Sequence, residues 1–146
     1  MSRTLPDVEE PGHAMYLSRT EFFSAAHCLH SKYLNDEENR KAYGVSNNMN
    51  GYNYRVKVTI KGKVEPTTGY IIDLLDLKKL IKQNVIDELD HRQLDRDVPY
   101  FKDRPSTVEN IVLFIWHQMK KCLPEGILHE IEVHNSNNNC VKYLGE

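Results

Sequence analysis

Asp90 and His91 are adjacent, and a carboxylate beside an imidazole can orient the ring and support its charge, as in a catalytic triad. The same pair also suits a structural hydrogen bond at a helix end, where the helix dipole favours a positive imidazole. His27 and His30 are candidate metal ligands. Residues three apart on a strand point to opposite faces, so these two cannot chelate one ion together. His134 lies far along the chain, and nothing in the sequence places it beside either. Cys28, Cys122 and Cys140 are an odd number at no metal-like spacing and read as unpaired thiols of a reducing compartment.

The elements that must position these groups follow from periodicity. Tyr16 to Leu29 reads as a strand. Tyr54, Val56, Val58 and Ile60 alternate with Arg55, Lys57, Thr59 and Lys61, the pattern of an antiparallel strand with one wet face. Pro66 to Gly69 is a turn, and Tyr70-Ile71-Ile72 reads as a short returning strand. Asp36 to Lys41 suits a helical turn. Asp73 caps a helix whose Leu74, Leu77, Ile81 and Val85 face a core. Ser106-Thr107-Val108-Glu109 reads as a capping box for a second helix, with Val108, Ile111, Val112, Ile115 and Met119 as its buried stripe. Ile127 to His134 and Cys140 to Leu144 are the closing strands around an asparagine-rich turn. The expected fold class is α+β: an antiparallel four-stranded sheet with two helices on one face.

A chain of 146 residues, 40% hydrophobic, can bury one packed core. A formal net charge of −2 argues against a general nucleic-acid or membrane-surface binder, which needs a basic excess. No apolar run approaches the ~20 residues of a membrane span. Met1 to Ala14, with Pro6, Pro11 and Gly12, lacks the apolar region of a secretory signal. The expected organisation is a flexible N-terminal arm over 1–15 and a single domain over 16–146, in the cytoplasm.

Three segments together carry a resemblance. They are Phe23-Ser24-Ala25-Ala26-His27, Asn47-Asn48-Met49-Asn50-Gly51-Tyr52-Asn53-Tyr54 and Leu89-Asp90-His91-Arg92-Gln93-Leu94-Asp95. Asp97-Val98-Pro99-Tyr100-Phe101 and the closing Tyr143-Leu144-Gly145-Glu146 extend it to about residues 18–146. In these segments the chain resembles the 6-pyruvoyltetrahydropterin synthase family, zinc lyases of tetrahydrobiopterin biosynthesis acting on dihydroneopterin triphosphate. The resemblance implies the tunnelling fold (T-fold), in which subunits join sheets into trimers, trimers stack as hexamers, and active sites lie between subunits.

The family writes its second segment Asn-Asn-x-Asn-Gly-His-Gly-His-Asn-Tyr, with a Cys just before it. Here that segment is two residues short, Tyr52 takes the place of the last ligand His, and Ser46 stands at the Cys position. The resemblance implies a three-histidine zinc site, of which only His27 is matched, so no cofactor is expected. It implies Asp90 and His91 as the residual catalytic pair beside Ser46. A serine hydroxyl stays protonated where a thiol can be tuned to act as a base. It implies pterin contacts at Thr107 and Glu109, and at Asn135, which replaces the family's Glu. The capping box explains Glu109 without any ligand. An amide presents a donor where the pterin edge wants an acceptor.

The functional expectation is a synthase homologue that has lost zinc and lyase activity and is kept for assembly or for binding a pterin or another flat ligand. The alternative is a pterin lyase of tetrahydrobiopterin biosynthesis, weak or altered, using Asp90 and His91. The partners to expect are further copies of itself in a trimer or hexamer, an active synthase paralogue and a pterin, with no nucleic acid and no membrane.

Overall fold

The computed structural model describes residues 13–146. Most of the expected N-terminal arm therefore lies outside the described residues, and Ala14 and Met15 belong to the first strand. Strand β1 (Ala14–His27) pairs antiparallel with β2 (Asn50–Lys63) along its whole length. Alternation sorts the side chains: Phe23, Ala25 and His27 of β1 and Tyr54, Val56, Val58 and Ile60 of β2 are buried on the helix side. Phe23 and Tyr54 face each other across the ladder with rings stacked at 4.9 Å. Strand β2 continues into antiparallel β4 (Leu128–His134) with a bulge at Thr59/Ile60, and β4 into the edge strand β5 (Cys140–Tyr143).

The sheet has five strands in the order β3-β1-β2-β4-β5. The expected four-stranded antiparallel sheet is corrected here: β3 (Arg92–Gln93) adds a short parallel pairing with Ala25 and Ala26 of β1, so the sheet is mixed. Two residues are too short a run to show alternation in sequence. The expected strand at residues 70–72 is also absent. Ile71 instead plugs the sheet at Gly62, where an added Cβ would come within 2.7 Å of the isoleucine methyl.

Helices cover one face. Helix α1 (Asp36–Tyr43) has a full capping box, Asn35 and Glu38 each bonding the other's backbone N–H. Asp73 caps α2 (Leu74–Ile81), accepting from Leu75 N–H at 2.9 Å. The helix then widens into a π turn (Lys82–Ile86) and ends as α3 (Asp87–Leu89). Leu77, Ile81 and Val85 are buried as expected, whereas Leu74, in the first turn, faces outward. After the short α4 (Leu94–Asp97) comes α5 (Val108–Cys122), whose Ile111, Val112, Ile115 and Met119 are buried against the sheet. Each such side chain contributes about 1.5–3 kcal/mol by leaving water. Its N-cap is Thr107, which accepts from Asn110 N–H at 3.2 Å. Ser106 is buried and bonded elsewhere, so the cap lies one residue later than expected, and the capping box expected from Ser106 to Glu109 does not form: the Asn110 side chain donates instead to the Pro105 carbonyl.

Candidate active site

The π turn and α3 deliver Asp90 to the edge of β1, and two backbone bonds fasten it there. Ser24 N–H donates to Asp90 Oδ1 at 2.9 Å, and His91 N–H donates to the Ser24 carbonyl at 2.6 Å. Asp90 Oδ2 lies 2.9 Å from His91 Nδ1. The Asp90 carboxyl is held below the usual carboxylate range, first by the Ser24 N–H and then by His91, against the opposing effect of burial. With Nδ1 turned to Asp90, Nε2 is the free nitrogen of an imidazole 84% exposed. His91 itself sits at φ 60°, the only non-glycine residue with positive φ among the described residues.

His91 borders an open cleft of about 530 Å³ whose other walls include Tyr52, Asn53, Arg92 and Arg96. Gly51 and Tyr52 of the shortened segment form part of its wall. Arg92 and Arg96 were not singled out from sequence. Their i, i+4 spacing immediately after His91 was the available signal, and it reads as an ordinary solvated face.

His27, the last residue of β1, is 3% exposed and engaged on both ring nitrogens. Nδ1 lies 2.9 Å from the Ser106 carbonyl oxygen and 3.1 Å from Ser106 Oγ, and Nε2 lies 3.0 Å from Asn50 Oδ1. Tyr52 meets the ring edge-on at 5.9 Å. No ligand set forms around His27 among the described residues, and this position does not fit the family's zinc. Ser46 lies in a 3-10 turn (Gly44–Asn47), where its carbonyl accepts from Leu29 N–H and from Asn50 Nδ2. It does not line the His91 cleft.

The expected pterin contacts divide. Glu109 and Asn135 come together in a second cleft of about 550 Å³, with Val108, Asn138, Asn139 and Val141. Asn135 Oδ1 is buried there without a hydrogen-bond partner. The Thr107 hydroxyl is occupied as the α5 cap and does not line this cleft. Within one chain the two clefts are separate. The His91 cleft lies at the β3/β1 end of the sheet, and the Glu109/Asn135 cleft at the β4/β5 end.

The expectation of no cofactor is corrected by a cluster that was not expected from sequence and that borders the second cleft through Cys140. Glu132, His134 and Cys140 bring one ligand atom each within 4.8 Å of one another, a set able to hold a metal ion. Sequence reading missed it because Cys140 and His134 are six positions apart, and only the β4–β5 pairing sets them opposite each other.

The family model for 6-pyruvoyl tetrahydropterin synthase matches residues 16–146. The chain belongs to that family. It is similar to the 6-pyruvoyl tetrahydrobiopterin synthase of Poecilia reticulata, 48% identical over 133 residues and spanning 90% of both chains. It is also similar to the Homo sapiens protein of the same name, 48% identical with 89% and 91% of the two chains covered. Its structure superposes on that of Caenorhabditis elegans 6-pyruvoyl tetrahydropterin synthase with a TM-score of 0.88 at 37% identity, covering 92% and 98% of the chains.

Two further expectations are corrected by these likenesses. A synthase homologue that has lost zinc and lyase activity, rather than an active synthase, was expected from the changes at residues 46–52 and 135. Identity with synthases runs instead through nine-tenths of the chain, and a group able to hold a metal ion is present at Glu132, His134 and Cys140. No helix among the described residues is long and apolar enough to cross a membrane.

Proposed function

We propose that the chain is a carbon–oxygen, phosphate-eliminating lyase of tetrahydrobiopterin biosynthesis acting on dihydroneopterin triphosphate. The observation that carries this reading is near-half identity with named synthases across nine-tenths of the chain, joined to an intact Asp90–His91 pair in an open cleft.

His91 is the proton-transfer group. Asp90 fixes the ring with Nδ1–H toward the carboxylate, so that Nε2 takes and returns protons on the substrate side chain. Arg92 supplies positive charge on the same wall, suited to the triphosphate, while Arg96 pairs with Asp97 of that wall at 3.0 Å. Glu109 and Asn135 receive the pterin edge in the other cleft. Since one chain carries these halves at opposite ends of its sheet, a complete site needs copies joined edge to edge. The open edges of β5 and of the N-terminal part of β1 invite that pairing, and a trimer or hexamer of the tunnelling fold satisfies it. No step is assigned to His27 as a metal ligand. The free thiols at Cys28, Cys122 and Cys140 fit a cytoplasmic protein.

The test is direct. Purified protein supplied with dihydroneopterin triphosphate should release inorganic triphosphate, and His91→Ala should abolish the release. Absence of turnover by the unmodified protein, in the presence of zinc, would sink the reading.

A further inference from the structure

The sheet face not covered by helices carries a row of side chains set by register. Arg55 of β2 pairs with His134 of β4, and His134 with Cys140 of β5. One row along, Lys57 pairs with Glu132 and Glu132 with Lys142. Strand alternation puts Glu132 and His134 on this one face, because they are two apart. Glu132 Oε1 lies 3.2 Å from His134 Nε2, and Glu132 Oε2 lies 3.0 Å from Lys57 Nζ. Glu132 is 7% exposed although charged. Burial alone would raise its carboxyl, but Lys57 above all, then His134 and Lys142, keep it below the usual range.

We propose that Glu132, His134 and Cys140 form a binding site for a zinc-class divalent ion that clips β5 to β4. The donors are one carboxylate oxygen, one imidazole nitrogen and one thiolate, the ligand types zinc accepts, with a fourth position open to water. Tetrahedral zinc bonds place donor atoms about 3.3–3.8 Å apart. The three ligand atoms already lie within 4.8 Å of one another, and Glu132 Oε1 and His134 Nε2 are 3.2 Å apart, so the set is near that spacing, and Cys140 is exposed. Lys57 holds the second oxygen of Glu132, so the carboxylate offers Oε1 alone, the arrangement of an outer partner steering a ligand. Lys142 Nζ, 4.0 Å from Oε1, is the competitor that must swing away, and its side chain is half exposed. Arg55 opposite His134 also disfavours a cation. A thiolate ligand offsets that charge.

The clip closes the turn at residues 135–139, and Asn135 leaves His134 directly into the cleft shared with Glu109. Metal binding therefore orders the segment that presents Asn135. The site stands apart from the His91 cleft, on the opposite edge of the sheet, and does not depend on the lyase reading.

Cobalt(II) titration of the whole chain, with a phosphine in place of thiol reductants, tests the site without an activity assay. Thiolate-to-cobalt charge transfer should appear in the near ultraviolet and be displaced by zinc. Cys140→Ser should remove the band, and His134→Gln should weaken cobalt binding by at least about 100-fold, more than an outer partner contributes. Cys28→Ser and Cys122→Ser should leave both unchanged. Cys140 is exposed, so its replacement keeps the fold. Zinc should also slow amide exchange over residues 135–139. A missing band, or a band that survives Cys140→Ser, overturns the site. Zinc binding without slower exchange in the turn overturns the clip. Either result leaves triphosphate release untouched, so failure here is distinct from failure of the lyase reading.

Discussion

His91 holds its Nδ1 2.9 Å from Asp90 Oδ2 while its own backbone bends through φ 60°. The bend turns the imidazole out of the sheet edge and into the cleft. A side chain with a Cβ disfavours that conformation by about 1–2 kcal/mol. The strain is retained where a functional ring is needed.

His91→Gly should therefore separate stability from activity. The variant loses the proton-transfer group but relieves the left-handed backbone. Chemical denaturation should show it as stable as the parent or more so, by up to about 1 kcal/mol. Triphosphate release should fall by at least about 100-fold. Clear destabilisation would mean that the ring braces the fold.

Asp90 contributes to stability in a defined pH window. Its folded carboxyl lies below its unfolded value, so the contribution is full above the ordinary carboxylate range, near about pH 4, and is lost as pH falls through the folded value. Asp90→Asn should lower stability at neutral pH and flatten the acid limb of a stability profile between about pH 5 and pH 2. Parallel limbs for parent and variant would contradict the assignment.

His27→Ala should act on the fold. It removes a buried ring that engages Ser106 and Asn50, and leaves a cavity beside Tyr52. The expected cost is about 2–4 kcal/mol by thermal or denaturant unfolding. Bound metal, measured by elemental analysis of the folded fraction, should be unchanged.

Asn135→Glu should tighten binding of a pterin in fluorescence titration. A carboxylate accepts two hydrogen bonds from the guanidine-like pterin edge, where the amide offers one acceptor. A gain of about 2–3 kcal/mol corresponds to about 30–150-fold in affinity. No gain would remove Asn135 from the pterin site.

Light scattering at micromolar concentration should return a mass several times the 17.0 kDa chain. A stable monomer would leave the two clefts unable to meet and would defeat the shared-site proposal.

The α+β fold and its long strands were legible because burial imposes a period: Tyr54 to Ile60 alternate, and Leu77, Ile81 and Val85 recur once per turn. Asp90 and His91 were legible as chemistry because they are adjacent in the chain. Local misreadings arose where one contact overrode the pattern, as at Ser106, drawn from its cap into a bond with His27. The parallel β3 is fixed by two residues pairing with Ala25 and Ala26, too few to carry any period. Only the tertiary structure decided the ligand sets. It closed His27 off with a serine and an asparagine, and it gathered Glu132, His134 and Cys140 across a strand pairing. Chemistry between residues distant in sequence depends on register, which side-chain alternation constrains only to one face and hydrogen bonding between strands must settle.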